Sequence, residues 1–314
     1  MHAAANNLRG GVSPRNTRLR GQSIIEYVLI AAVLGLVIVF AGPLVSGAIR
    51  NQFNQVTNTV DSGTDGDSFM SAEEKAYREA MKTVVNKETK DWTLDEQKAA
   101  ATDIAKNGTS SVVYAKAKAA MDARTTWSVK LTNGQTMTYR IIGINHDDLS
   151  DGSGKAGLTY LTVYGLGNYS MNVSDSNFGG WEKSELRAKM NSGEIWNLMP
   201  ADFQSKLKTV RKLTNNADSA TEVKVTTTSD RLFLLSYSEV IDNKIWGFPA
   251  AEGNQYQYFK TSGAEFGYLS GGAWGRSKSA YQEKRFFYFD NSKIPRGWSA
   301  GASMKNSVCP AFCF

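Results

Sequence analysis

The chain has 314 residues, enough for two domains or for one large domain with accessories. Hydrophobic residues at 41% against 21% charged residues allow a real core and exclude wholesale disorder. The net charge of +6 does not mark a nucleic-acid binder, because four of the 36 basic residues sit in the first 21 positions and the other 32 face 30 acids with no basic block.

The N-terminus carries Arg9, Arg15, Arg18 and Arg20 and no acid before Gly21-Gln22-Ser23-Ile24-Ile25-Glu26-Tyr27. Tyr27 to Ile49 then runs 23 residues without a charge. As a helix this is roughly 35 Å long, against a bilayer hydrocarbon core of about 30 Å. The arginine bias predicts a cytoplasmic N-terminus with the remaining chain outside. Pro43 after Gly42 predicts a kink near the outer end. Glu26 costs up to about 2.5–3.5 kcal/mol in such a span and therefore needs a partner.

A glycine, four residues, Glu-Tyr and an apolar helix resemble the prepilin signal of Flp/Tad-type (type IVb) pilins, over residues 15–55. The resemblance implies cleavage between Gly21 and Gln22 by a membrane aspartyl prepilin peptidase. It implies that the apolar helix is kept and later packs against other pilin subunits. Glu26 and Tyr27 become the fifth and sixth mature residues. In the family the glutamate meets the new α-amino group of a neighbouring subunit, and pairing the two charges offsets both desolvation costs. The departure is length. Flp pilins are very short, so the long remainder favours a minor, tip-located or surface-displaying subunit. Two other readings stay open: a secretory signal cleaved near Val45-Ser46-Gly47-Ala48, and a plain single-span anchor.

Asp61 to Ser68 is a Gly/Ser/Asp linker. Ser71 with Glu74 and Thr93 with Glu96 are capping-box patterns. Tyr77, Ala80, Met81, Val84 and Val85 make one helical face, and Leu94, Ala101, Ile104 and Ala105 another, ended by Asn107-Gly108. A third helix carries Val113, Ala117, Ala120 and Met121. These helices are a spacer or docking module, or they pack on the C-terminal domain.

Trp127, Val129 and Leu131 alternate, Asn133-Gly134 reads as a type I′ turn, and Met137, Tyr139 and Ile141 alternate again, which predicts a hairpin. Leu158–Tyr164, Val223–Thr228, Arg231–Ser236, Phe286–Phe289 and Val308–Phe314 read as strands. Ser184–Asn191 and Pro200–Val210 read as helices, the second with Phe203, Leu207 and Val210 on one face.

Several segments resemble an uncharacterised domain found at the C-termini of many bacterial surface proteins, domain of unknown function 6273, over roughly residues 91–314. They are Arg140–Leu149 with Asp151–Gly157, Gly180–Arg187, Leu232–Ser236 with Glu239, Trp274-Gly275-Arg276-Ser277, and Pro310–Phe314. The resemblance implies location and fold more than chemistry. Helices, short strands, a Trp-x-Arg-Ser segment and a closing strand are also similar to the C-type-lectin-like fold. The family usually has a large apolar residue where Gly275 sits.

Candidate chemistry is sparse. Two cysteines exclude a disulfide-rich scaffold and a four-thiolate zinc site, and two histidines leave little for histidine catalysis. Gly152–Gly157 matches Gly-x-Gly-x-x-Gly, but a polar loop precedes it and a strand comes after it, so it reads as a structured turn. Asp147, Asp148 and Asp151 beside His146 form a weak calcium candidate without EF-hand spacing. Glu182 and Glu185 fall on a predicted solvent face. Cys309 and Cys313, four apart in a predicted strand, read as buried free thiols.

Residues 256–298 hold 12 aromatics in 43 positions, against 11% for the chain. Aromatics among small polar residues have the composition of a recognition surface. Phe259, Phe286 and Tyr288 are expected to be core. Tyr268, Trp274, Arg276, Tyr281 and Trp298 are expected to be exposed ligand-binding candidates.

The expected fold class is α+β: a long N-terminal transmembrane/pilin helix, a small helical module, then a β-rich, C-type-lectin-like globular domain. The boundaries are 1–21 leader, 22–60 helix, 61–70 linker, 71–123 helical module and 124–314 surface-displayed domain. The expected function is a Tad/Flp-type minor or tip pilin displaying an extracellular adhesin or ligand-binding domain. It starts in the cytoplasmic membrane as a precursor and ends at the cell surface. It is not expected to be an enzyme, to need a cofactor or to bind nucleic acid. Its expected partners are the prepilin peptidase, other pilin subunits, the membrane, and an extracellular protein or glycan. Rival readings are a membrane-anchored receptor outside any pilus and an extracellular glycan-acting enzyme.

Overall fold

The computed structural model describes residues 70–219, 222–241, 251–261, 264–266, 272–279, 282–290 and 297–314, with the backbone alone at 297–298. The chain divides into two units, Met1–Ser68 and Phe69–Phe314, and every described residue belongs to the second. The expected helix over 22–60 lies outside the described residues. Among the described residues no helix is long and apolar enough to cross a membrane. The longest of them has 14 residues. This corrects the expected fold class: the helices are short, and β-sheets dominate the C-terminal part.

Three helices open the unit: α1 (Ala72–Val84), α2 (Leu94–Asn107) and α3 (Tyr114–Asp122). Thr93 and Glu96 cap α2 reciprocally, as their spacing predicts, whereas Ser71 caps α1 by its side chain alone. These helices do not stand apart. Val84, Ile104, Val113 and Ala117 belong to the same hydrophobic cluster as Tyr139, Trp274 and Phe312.

The first sheet has five strands in the order β1 (Thr126–Lys130), β2 (Thr136–Ile144), β3 (Leu158–Thr162), β12 (Ala311–Cys313) and β7 (Leu232–Phe233). The β1–β2 hairpin pairs Trp127 with Tyr139 and Val129 with Met137, as the alternation predicts. Its turn is not type I′. Gly134 has φ +86° while Asn133 does not adopt positive φ, and Leu131 N–H donates to the Gln135 carbonyl at 2.8 Å. The loop is therefore three residues long, with the glycine supplying the left-handed position. Strand β3 is buried along its whole length. On one face Tyr160 and Phe312 stack at 5.4 Å, and Phe312 meets Phe203 of α5 (Ala201–Lys206). On the other face lie Thr159 and Cys313, also paired in register.

The second sheet runs β10 (Gly297–Gly301), β9 (Arg285–Phe289), β8 (Ala273–Lys278), β11 (Asn306–Ser307) and β4 (Asn168–Tyr169). A separate hairpin pairs β5 (Val210–Asn215) with β6 (Val225–Asp230). Among the described residues are also two short helices, α4 (Glu185–Asn191) and α6 (Tyr237–Val240).

The helix expected over 200–210 stops at Lys206. Leu207 is extended, and Lys208 N–H donates to the Cys313 carbonyl at 2.9 Å, so the chain is drawn onto the edge of β12. Val210 thus starts a strand. The expected closing strand over 308–314 shrinks to Ala311–Cys313, because Val308 N–H turns to the Gly167 carbonyl instead.

Candidate functional site

The loop after β2 does the assembling. Asn145 adopts a left-handed φ of +48° and turns the chain out of the strand. Asp148 and Lys155 then bridge, Leu149 bridges Val210, and Arg211 N–H donates to the Asp148 carbonyl at 2.9 Å. In that antiparallel register Asp147 lies opposite Lys212 on β5. Gly152 and Gly154, at φ +76° and +131°, make the tight turn that closes the loop. A strand comes directly after it, so the Gly-x-Gly-x-x-Gly spacing serves a turn here.

Lys212 is fully buried. Its Nζ lies 2.5 Å from Asp147 Oδ1, 2.6 Å from Glu239 Oε1 and 3.0 Å from the Tyr256 hydroxyl. It also sits 4.3 Å above the Phe233 ring. Asp147 accepts from the Thr159 hydroxyl at 2.6 Å, and the Tyr256 hydroxyl lies 2.9 Å from both of its oxygens. The Cys313 thiol lies 3.7 Å from Oδ2.

Glu239 caps its own short helix reciprocally with Ser236. Its two oxygens accept from Arg276 Nη1 at 2.5 Å and Nη2 at 3.0 Å, a bidentate pair. Arg276 spends its other donors on the carbonyls of Leu213, Leu234 and Glu252. Glu252 accepts from Asn215 N–H at 2.7 Å and from the Ser277 hydroxyl.

Two buried cations thus face two buried anions, with Glu252 as a fifth group. Burial raises the pKa of Asp147, but the Lys212 ammonium more than offsets this and leaves it at about 2. Burial likewise opposes the charge on Glu239, and Arg276 and Lys212 together hold its carboxyl below the ordinary range. Lys212 is held above its ordinary value by Asp147 and Glu239, against burial. Glu252 is different: burial dominates, and its carboxyl is pushed up. His146 stacks on Tyr256 at 3.9 Å between centroids, and burial pushes its pKa down.

Several sequence candidates move. Trp274 and Arg276, expected to be exposed, are fully buried. Strand β8 lies in the middle of its sheet with all six residues buried, and Trp274 Nε1 donates to the Tyr169 carbonyl at 2.7 Å. Tyr268 and Tyr281 lie outside the described residues, as do Gly21, Gln22, Glu26 and Tyr27. The Trp298 backbone lies on β10. The calcium candidates diverge. Asp147 points into the network, Asp148 pairs with Lys155 at 2.8 Å, and Asp151 accepts from the Ser153 hydroxyl at 2.7 Å. Among the described residues no group of three metal-ligating side chains forms. Glu182 and Glu185 are exposed. Cys309 and Cys313 are free and buried.

Lys212 and Glu252 escape the sequence reading. The one signal for Lys212 is its inward position between Val210 and Thr214 in a strand, and that stretch reads partly as helix. Several motifs singled out in the sequence meet here: Asp147, Glu239, Arg276 with Ser277, and Cys313 all touch this network.

Solvent reaches a different place. Asp175, Gln282, Glu283, Lys284, Arg285, Gly301, Ser303 and Met304 line an open cleft of about 550 Å³. The Asn177 side-chain amide fixes one wall, lying 2.9–3.2 Å from the carbonyls of Ser279, Gln282 and Arg285. Asp175 Oδ1 accepts from Ser303 N–H and hydroxyl at 3.3 and 3.2 Å. Val173, Phe178 and Met304 are exposed apolar side chains in the same segments.

The family model that matches is described as "Domain of unknown function (DUF6273)", over residues 154–313. No curated protein and no solved structure matches, so the C-type-lectin-like fold expected from the sequence is not shown.

Proposed function

The chain belongs to this family of unknown function, and from that premise we propose that it is a surface-displayed binding protein rather than an enzyme. The observation that carries the reading is the closure of the charge network. Its carboxylates, amine and guanidinium are buried and spend their hydrogen bonds on one another and on the backbone. Such groups hold a fold in register and do not reach a substrate from solvent. The open cleft beside Asp175 and Arg285 offers hydrogen-bonding groups with an apolar edge, the pattern of a polar-ligand surface. The ligand is an extracellular glycan or protein.

Delivery rests on Gly21-Gln22 and Glu26-Tyr27, whose pattern resembles a Flp/Tad prepilin signal. In this reading a prepilin peptidase cuts after Gly21, and the mature chain joins other pilin subunits as a minor or tip component.

Two measurements test it. The N-terminus of the protein recovered from sheared pili is expected at Gln22, and a start at Met1 on every surface copy overturns the prepilin part. The purified full chain on a glycan array is expected to bind saturably and to lose that binding in Arg285→Ala at unchanged Tm. Turnover of a glycan that survives Arg285→Ala overturns the binding reading in favour of an enzyme.

A further inference from the structure

Lys212, Asp147 and Glu239 form a constellation with its own chemistry. One amine lies 2.5 Å from an oxygen of one carboxyl and 2.6 Å from an oxygen of a second. The Lys212 and Asp147 side chains are 2% and 3% exposed, so water is excluded. Phe233 and Tyr256 close over the amine at 4.3 and 5.4 Å. Thr159 and Tyr256 hydroxyls point at the Asp147 carboxyl. These contacts satisfy the ammonium's protons and the carboxylate's lone pairs as any buried ion pair must, and they also place a second carboxylate on the same nitrogen, where it can take a proton.

We propose that Lys212 and Asp147 condense into an intramolecular isopeptide bond, with Glu239 as the proton carrier. The two reactants sit on directly opposed residues held by the Leu149–Val210 bridge, so the amine and the carboxyl are kept in contact. The proton on Nζ moves across the 2.5 Å contact to Asp147 Oδ1, giving a free amine and a carboxylic acid. The charged pair is the resting form, and the neutral pair is the minor reactive form, whose cost falls where water is absent. The Nζ lone pair attacks Asp147 Cγ, and the carbonyl electrons move to Oδ2. The Thr159 and Tyr256 hydroxyls stabilise that oxyanion. Glu239 takes a proton from the new N–C centre and passes it to the Oδ1 hydroxyl, which leaves as water. The Oδ2 electrons return, and an amide remains. One N–C bond forms, one C–O bond breaks, one water is released, and nothing is oxidised or reduced. Glu239 ends as it began, held by Arg276.

The test is the mass of the folded wild-type chain and its tryptic map. The expected chain is lighter by one water than its own N-terminus and sequence require. Trypsin is expected to skip Lys212, and the Asp147 and Lys212 peptides are expected to appear joined. Asp147→Asn discriminates further: it releases ammonia instead of water and yields a product with the wild-type mass. Glu239→Gln and Lys212→Arg are expected to retain the full sequence mass. A folded wild-type chain with the full sequence mass and separate Asp147 and Lys212 peptides overturns the proposal, whatever the variants do. The outcome is independent of ligand binding and of N-terminal processing.

Discussion

Arg276 clasps both oxygens of Glu239, at 2.5 and 3.0 Å, with neither side chain open to solvent. The two residues come from different elements, β8 and the short helix α6, and the pair binds them together. Removing one partner leaves the other charge buried and uncompensated. Arg276→Met is therefore expected to cost about 3–5 kcal/mol of stability. Combining it with Glu239→Leu is expected to recover part of that loss, because no stranded charge is left. Urea denaturation of the single and double variants measures both. Additive losses would show that the pair is not coupled.

Glu252 sets a pH dependence of opposite sign to that of Asp147 and Glu239. Its folded-state pKa is raised by burial above the ordinary value near 4.5. The folded state therefore holds a proton that the unfolded state has released. The stability it contributes is complete below about pH 4.5 and is lost as pH rises through the raised folded value. Glu252→Gln keeps a carbonyl oxygen for Asn215 N–H and removes the titration. The variant is expected to gain on the wild type as pH rises above about 4.5, until the raised folded value is passed. Parallel stability curves over that range would show that Glu252 does not titrate as stated.

Gly157 ties the helices to the first sheet. A Cβ at this position would lie 1.8 Å from the Ala101 carbonyl oxygen, which is backbone and cannot swing away. Gly157→Ala must push α2 off β3. Overpacking of this kind costs about 1–3 kcal/mol, and more where backbone must move. The expected result is a lower Tm with faster proteolysis within residues 71–123. An unchanged Tm would mean that the helices dock loosely.

Much of the local structure is legible in the residues, and the buried network is not. The β1–β2 hairpin follows from the alternation of Trp127 through Ile141, and Thr93 with Glu96 announces α2. Pro200, Phe203, Leu207 and Val210 keep helical spacing past the real end of α5, because local pattern does not report the pairing of Lys208 with Cys313. Lys212 in isolation reads as a solvent residue. Its partner Asp147 is 65 residues away, and Arg276 is 37 from Glu239. Only the folded register brings these charges together, so composition alone places Arg276 and Trp274 on the surface when they lie in the core. Gly275 is explained the same way. A Cβ there would meet the Phe289 ring at 2.8 Å, so Phe289 takes the space that a larger residue would fill.

Mutation can separate the cleft from the core. Arg285 and Met304 line the open cleft and carry no part of the charge network, whereas Trp274 anchors β8 to β4 through the Tyr169 carbonyl. Arg285→Ala and Met304→Asp are expected to weaken ligand binding at least tenfold with Tm unchanged, since surface substitutions usually stay within about 0.5 kcal/mol. Trp274→Ala is expected to cost about 3–5 kcal/mol by opening a cavity. Any loss of binding it causes should track the unfolded fraction. Binding isotherms read beside thermal melts distinguish these cases. If Trp274→Phe abolishes binding in a chain that melts like wild type, the ligand contacts β8 and the cleft is not its site.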